Sequence, residues 1–306
     1  MKDLFRNIFR NIMSLVSNFS PELTSRIYYR MKFKKKLELK NPKTFNEKLM
    51  YLKLNEYENN ELIVKCADKY RVREYIKDCG LENILNDLIG AYDNVDEIDF
   101  EKLPNSFVLK CNNAAGFNLI CEDKSNLDIK KAQKTLRMWL KKDYWKYVAE
   151  MQYKNIEKKI VCEKFLESKD GHAIEDYKIY CFNGKPEFCM VCIGREQGKP
   201  KYYFMDKNWN LLRINPAGVE APENFKIDKP KVIDEMYKYA EILSKPFKFV
   251  RVDFYEYHNK TIFGELTFTP AGCIDNNYIE GIDEKLGQKI DLNCGNVKEK
   301  EFCNHS

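Results

Sequence analysis

The sequence predicts an α+β chain of two lobes preceded by a helical extension, and three features lead there. At 306 residues and 44% hydrophobic content, with 19 Tyr and 19 Phe, the chain holds core material for about two domains or closely joined lobes. Residues 1–80 place apolar positions at spacings of three and four, between capping and stop signals, which is helical patterning. From Ser106 onward, short runs of β-branched and aromatic residues alternate with turn dipeptides, which is hairpin patterning.

Charge and cysteine usage narrow the class. Lys and Arg number 52 against 47 Asp and Glu, a formal +5 that is small for this length and gives no reason to expect a nucleic-acid partner. Eleven cysteines without regular spacing or a signal peptide read as reduced thiols of a cytoplasmic protein. Cys189 and Cys192 form a C-x-x-C, but in the strand-like run EFCMVCIG an offset of three puts them on opposite faces, so the sulfurs do not converge on a metal.

Met1–Val16 carries Phe5, Ile8, Phe9, Ile12, Met13 and Val16 at helical spacing, with Lys2, Arg6 and Arg10 between them. Lys32, Lys34, Lys35, Lys36 and Lys40 extend the basic character. Two readings fit: an interfacial helix on an anionic membrane surface, at the inner face of the membrane, or a helix docked on the body with a solvated basic flank. No apolar run reaches transmembrane length, and the charges interrupt any secretory core.

In NPKTFNEKLMYLKL, Thr44 precedes Glu47 by three residues, a capping-box spacing at the head of a helix whose apolar face is Phe45, Leu49, Leu52 and Leu54. ADKYRVREYIKDCG predicts a helix over Ala67–Gly80 with Gly80 as its cap, followed by short apolar runs such as Leu88–Tyr92. In SFVLKCNNAAGFNLIC, an apolar run leads through Lys110 into Ala114, Ala115 and Gly116 and then a second run. A strand, small-residue loop and strand of this kind fits either a phosphate-covering loop, with Lys110 reaching a phosphate oxygen, or an ordinary hairpin with an exposed lysine. Asn126–Glu157 reads as a helical linker. Ile160–Cys162 then reads as a strand with its exit at Glu163–Leu166, Lys169–Gly171 as a turn, and Asp176–Phe182 as a returning strand. Asn183–Gly184 is a hairpin turn into Pro186–Ile193.

Val250–Gly272 is the stretch with the most chemistry. With a turn centred on Asn259, Asp253 faces Glu265 and Arg251 faces Thr267, all on one face, while Val252, Phe254, Ile262, Leu266 and Phe268 form the other. Directly opposed carboxylates raise each other's pKa unless a cation sits between them, and hard oxygen ligands in this number suit Mg²⁺ carrying phosphates. A solvated charged face is the alternative.

Taken in order, DKYRVREYIKDCGL, FVLKCNNAAGFNLI, IVCEKFLES, DYKIYCFNGKP and VRVDFY with FGELTFTPAG resemble the elements of ATP-grasp enzymes. With NPKTFNEKLMYLKL and DEKLG they look most like the TupA-like branch, from about Asn41 to Leu292, which is found with bacterial cell-surface polysaccharide genes. The resemblance implies an ATP-grasp fold, two α+β lobes clasping a nucleotide. The chain then divides into a basic helical extension at 1–42, a helical or α+β region at 43–105, a small lobe at 106–182, a large lobe at 183–292 and a polar tail at 293–306. It implies nucleotide contacts from Lys69, Lys110, Ala115 and Gly116, an adenine-side linker at Glu163 and Leu166, and ribose-side contacts at Asp176 and Lys178. Arg251, together with Lys110, would stabilise charge at the transferring phosphoryl, and Asp253, Glu265 and Thr267 would ligate Mg²⁺.

Two departures stand out. Thr267 occupies a position where many ATP-grasp enzymes have asparagine, and Asn113–Gly116 carries alanines where the branch resembled has His-Gly-Ser-Gly. The implied cofactors are ATP and Mg²⁺, and the implied reaction is carboxylate–amine ligation through an acylphosphate, with ADP and phosphate as products. The partners would be a carboxylate-bearing glycan or sugar and an amine donor, in capsule or cell-envelope polysaccharide biosynthesis. His172 and His258 both fall in expected turns and are poor candidates for the base of the amine step. The competing class is a glycosyltransferase-like or glycan-binding protein, or an ATP-grasp body without turnover. A kinase lacks support because no H-R-D or D-F-G run occurs.

Overall fold

The structure is a computed structural model that describes residues 2–167, 174, 176–194 and 200–293. His172, the turn expected at Lys169–Gly171 and all but the first residue of the 293–306 tail lie outside the described residues. In chain order the elements are α1 (Lys2–Phe19), α2 (Pro21–Phe33), α3 (Phe45–Asn55), α4 (Glu61–Ala67), α5 (Val72–Asp78), β1 (Leu88–Tyr92), β2 (Phe107–Cys111), β3 (Asn118–Cys121), α6 (Ile129–Leu140) and β4 (Ile160–Lys164). They continue with β5 (Asp176–Phe182), β6 (Lys185–Ile193), β7 (Lys201–Met205), β8 (Leu211–Leu212), α7 (Pro216–Glu220), α8 (Ile233–Ser244), β9 (Phe249–Tyr257), β10 (Lys260–Thr267) and α9 (Ile282–Gln288). Two compact units result among the described residues: 2–31, 53–75 and 86–166 in one, and 32–52, 76–85 and the described part of 167–293 in the other.

The first unit holds a four-stranded antiparallel sheet in the order β1-β4-β2-β3. Along β2, Phe107, Leu109 and Cys111 are buried while Val108 and Lys110 are half-buried, so strand alternation sends the lysine to the face opposite the core. That core gathers Phe107, Leu109, Ile160 and Cys162 with Phe100 and Leu103, and α6 closes it with Ala132 and Leu136. The helical linker expected over Asn126–Glu157 is helical only through Leu140, after which single 3₁₀ turns at Tyr144–Lys146 and Met151–Tyr153 follow. The aromatic side chains explain the break: Tyr144 meets Phe117, Tyr147 and Tyr153 edge-on, a set of directions one helical stripe cannot serve, and Ala149 adopts φ 54°.

The helix expected over Ala67–Gly80 begins only at Val72. Asp68 interrupts it by accepting the N–H groups of Tyr70 (2.8 Å) and Arg71 (3.3 Å), a side-chain turn that competes with helix and leaves Lys69 on a connecting loop.

The second unit holds a six-stranded antiparallel sheet in the order β10-β9-β5-β6-β7-β8. Helix α8 covers one face through Met236, Ala240 and Leu243, packed on β5, β6 and β9. On the other face Phe45 meets Tyr180, Phe182, Phe249 and Tyr278. The capping box forms: Glu47 N–H donates to Thr44 Oγ1 (3.2 Å) and Thr44 N–H to Glu47 Oε2 (3.1 Å). Gly287, the glycine of DEKLG, lies against this helix start, where a Cβ would come within 2.1 Å of Lys43 O.

The β9–β10 hairpin turns on His258 and Asn259, both left-handed at φ 52° and 58°, as a two-residue turn requires. Next to the turn Tyr257 pairs with Lys260 and Phe254 with Phe263; a bulge between Phe263 and Glu265 then shifts the register so that Asp253 faces Glu265 and Arg251 faces Thr267. The expected opposition of the two carboxylates is therefore present, with one correction on the other face. Ile262, expected in the core, pairs with Tyr255 and is half-buried, because the bulge reverses the alternation; Phe263 takes the core position against Phe254.

Candidate active site

The second unit carries one cluster of the expected residues and the first unit carries two smaller groups. In the second unit the registers of β5, β9 and β10 place two rows across three strands: Lys178, Asp253 and Glu265 in one, and Tyr180, Arg251 and Thr267 in the next. Strand alternation puts both rows on the same face.

Arg251 lies flat against Asp253, with Nε donating to Oδ1 (2.7 Å) and Nη2 to Oδ2 (2.6 Å), the fork geometry peculiar to arginine. Lys178 Nζ donates to the same Oδ2 (2.8 Å) and also ion-pairs with Asp176. Arg251 Nη2 donates further to Thr267 Oγ1 (3.1 Å) and lies 3.8 Å from Glu265 Oε1, which accepts from Thr267 Oγ1 (3.2 Å). Asp253 is 2% exposed, whereas the Glu265 side chain is 40% exposed. Burial alone would push the Asp253 carboxyl up; the charges of Arg251 and Lys178 outweigh it and hold the group below the ordinary carboxylate range. Burial likewise works against the Lys178 ammonium, but the Asp253 charge opposes it and the balance raises the lysine. The cation that opposed carboxylates need is thus supplied by the protein itself.

This donor set fits Mg²⁺, a small hard ion that takes one or two carboxylates and fills its remaining positions with phosphate oxygens and water. Asp253 and Glu265 would be two such carboxylates and Thr267 a hydroxyl, with Glu265 open to water and Asp253 joining as Arg251 leaves it. Among the described residues no three His, Cys, Asp or Glu side chains gather into a group that could hold a metal ion.

In the first unit, Lys110 Nζ donates to Glu163 Oε2 at 2.6 Å across the β2–β4 pair. Arg73 Nη1 stands 3.7 Å from Glu163 Oε1, and its Nη2 donates to Asn86 O (2.9 Å). Glu163, expected on the adenine side, is therefore paired with two cations. Beyond it, the Lys164 N–H donates to Asp87 O and its carbonyl accepts from Asn86, while Leu166 is half-buried.

Lys69 Nζ donates to Ala114 O (2.5 Å) and its N–H to Asn112 O (3.2 Å), so the lysine is tied to the loop that carries Ala115 and Gly116. Ala115 and Gly116 are exposed at the loop tip, and Gly116 adopts φ 73°. Buried Asn112 holds the base of the loop: Nδ2 donates to Asp68 Oδ1 (2.9 Å) and Glu157 O (2.8 Å), and Oδ1 accepts from Lys159 N–H (2.7 Å). Burial raises the Asp68 carboxyl against the lowering effect of these hydrogen bonds.

Sequence reasoning missed Arg73, Asp68 and Asn112. Arg73 has a weak signal four residues after Lys69; Asp68 makes a local turn with the N–H groups of Tyr70 and Arg71, whereas its bond to Asn112, and those of Asn112 to the backbone of Glu157 and Lys159, join groups distant in sequence and carry no local signal. His258 sits in the hairpin turn, exposed, as expected.

A protein-family model described as TupA-like ATPgrasp matches residues 47–291. Among solved structures, D-alanine–D-alanine ligase from Bacillus anthracis complexed with ATP is similar at 16% identity and TM-score 0.40, over 67% of this chain and 55% of that one. D-alanine–D-alanine ligase from Helicobacter pylori is similar at 13% identity and TM-score 0.44, over 81% and 69%. N5-carboxyaminoimidazole synthetase from Staphylococcus aureus complexed with ADP is similar at 15% identity and TM-score 0.44, over 72% and 49%. The chain thus spans only 55% of the length of the first of these ligases and 49% of the synthetase. A search of curated proteins gave no match.

Proposed function

This chain belongs to the TupA-like ATP-grasp family, and from that premise we propose that it is an ATP-dependent carboxylate–amine ligase. The observation that carries the reading is the pair of rows on β5, β9 and β10, which sets an arginine and a lysine against one carboxylate and a second carboxylate opposite it. A face of this kind suits a polyphosphate whose terminal group is leaving, because cations and carboxylates are both fixed before charge develops.

Lys69 and Lys110 would bind phosphate oxygens by charge-assisted hydrogen bonds, under the loop tip at Ala115 and Gly116. Glu163 and Leu166 would border the adenine, and Asp176 with Lys178 the ribose. Asp253, Glu265 and Thr267 would hold Mg²⁺, which when bound neutralises the triphosphate. Arg251 would turn from Asp253 toward the γ-phosphoryl group and stabilise its charge while a substrate carboxylate oxygen attacks the phosphorus. The P–O bond to ADP breaks as the new one forms, giving an acylphosphate; an amine then attacks the acyl carbon, phosphate leaves and the amine gives up a proton. A carboxylate on a sugar or glycan is the acceptor we propose, with a role in cell-surface polysaccharide synthesis.

The product separates this reading from its competitors. With ATP and a set of uronic acids and amino acids, ADP and phosphate should appear only when a carboxylate acceptor is present, and hydroxylamine in place of the amine should yield a hydroxamate. Formation of AMP, or sugar transfer without triphosphate cleavage, would overturn the mechanism.

A further inference from the structure

The charge of this chain is concentrated at one end. Residues 1–40 contain ten Lys and Arg against three Asp and Glu, a net +7, so the remaining 266 residues carry 42 Lys and Arg against 44 Asp and Glu, a net −2. The whole positive excess therefore belongs to α1, α2 and the stretch that follows.

The same helices leave apolar side chains in water. Ile8, Ile12, Leu15 and Phe19 follow one another by four, three and four residues along α1, which confines them to an arc of about 60° at 3.6 residues per turn. All four are exposed, Leu15 at 66% and Phe19 at 86%. The opposite side of α1 is the docked one: Met13 and Ser17 are buried, Ser17 Oγ donates to Thr24 Oγ1 (3.0 Å), and Arg10 lies 5.2 Å from the Tyr147 ring. Packing on the body therefore leaves the apolar stripe uncovered. On α2, Leu23 and Met31 are exposed beside exposed Arg26 and Arg30, and the chain runs on into Lys32 and Lys34–Lys36.

We propose that α1 and α2 form a docking face for an anionic lipid bilayer, with the apolar stripe entering the headgroup boundary and the basic residues answering the surface charge. An apolar stripe with a basic flank is what an interfacial helix needs, and each cation near an anionic leaflet adds to the affinity. No helix among the described residues is long and apolar enough to cross a membrane, so the contact is with the surface. An acidic protein or a second copy of the chain would be the other kinds of occupant; the combination of four exposed apolar residues with an excess of seven charges favours the lipid.

The test is co-sedimentation of the full chain with vesicles. Vesicles containing about one third phosphatidylglycerol should retain the protein, retention should fall as salt rises through the range where the Debye length drops below about 10 Å, and pure phosphatidylcholine should retain little. Leu15→Glu with Phe19→Glu should lower the partition constant at least about tenfold by removing apolar insertion. Lys32, Lys35 and Lys36 changed together to Gln should weaken retention chiefly at low salt. All these positions are exposed, so an unchanged melting temperature establishes that each variant folds. Equal retention by the two lipid compositions, or unchanged retention of the Leu15/Phe19 variant, would overturn the proposal. So would a dimer in solution that this variant dissociates while vesicle binding stays the same, since the face would then belong to a second copy.

Discussion

At the scale of single residues, the two carboxylates of the β9–β10 hairpin are unequal partners. From the register alone, neutralising either one relieves repulsion. In the structure Asp253 is buried under Arg251 and Lys178, so Asp253→Asn removes the forked partner of Arg251 and leaves Lys178 only Asp176, and should cost about 3 kcal/mol of stability, measured by denaturant unfolding. Glu265→Gln acts on a side chain in partial contact with water and should leave stability nearly unchanged while abolishing ADP formation. A pH series checks the same pairing. The folded carboxyl of Asp253 lies below its ordinary value of 3.8, so its contribution is present above that value and is lost as pH falls through the depressed one. The fall in melting temperature below about pH 4 should therefore be shallower in Asp253→Asn than in the parent.

Lys110 gives a second residue-scale test. Its ammonium is 2.6 Å from Glu163, so ATP binding must compete with that carboxylate. Lys110→Ala should weaken ATP binding by about 1.5–3 kcal/mol in a calorimetric titration, the value of a charge-assisted contact. An affinity equal to the parent's would assign Lys110 to the Glu163 pair alone.

At the scale of elements, the bulge at Gly264 is what lets a hairpin with a two-residue turn bring Asp253 opposite Glu265. A Cβ at Gly264 would approach Asp253 O to 2.9 Å, closer than real side-chain contacts. Gly264→Ala should therefore destabilise the protein by about 1–3 kcal/mol and reduce turnover with it, since relieving the clash moves β10 against β9. Normal kinetics in that variant would show that the register tolerates the shift. Legibility followed the elements closely. The Thr44–Glu47 capping box, the Asn183–Gly184 turn and the Asp253–Glu265 opposition are local patterns that the structure repeats. Helical periodicity extends too far at the linker after Leu140 and at the start of α5, because the aromatic contacts of Tyr144 and the side-chain turn of Asp68 override it.

At the scale of the whole molecule, the proposed ligase would take up Mg²⁺ together with its nucleotide, since such an ion keeps most of its positions for phosphate oxygens and water. Mg²⁺ titrated alone should give no measurable heat, whereas in the presence of ATP binding should be detectable and should weaken in Glu265→Gln. Tight binding of free Mg²⁺ would point to a cage that the described residues lack. The sequence by itself determined the fold class, the pairing of β9 with β10, and which residue types sit on them, because strand alternation, capping and turn chemistry act over a few residues. It also determined that the first 40 residues hold the positive charge. Only the tertiary structure decided that Arg251 and Lys178 neutralise Asp253, that Glu163 holds Lys110 and Arg73, and that the body leaves the stripe from Ile8 to Phe19 uncovered. Those outcomes depend on which side chains meet across strands and helices distant in sequence, and on which face of α1 the body covers. No local pattern encodes either.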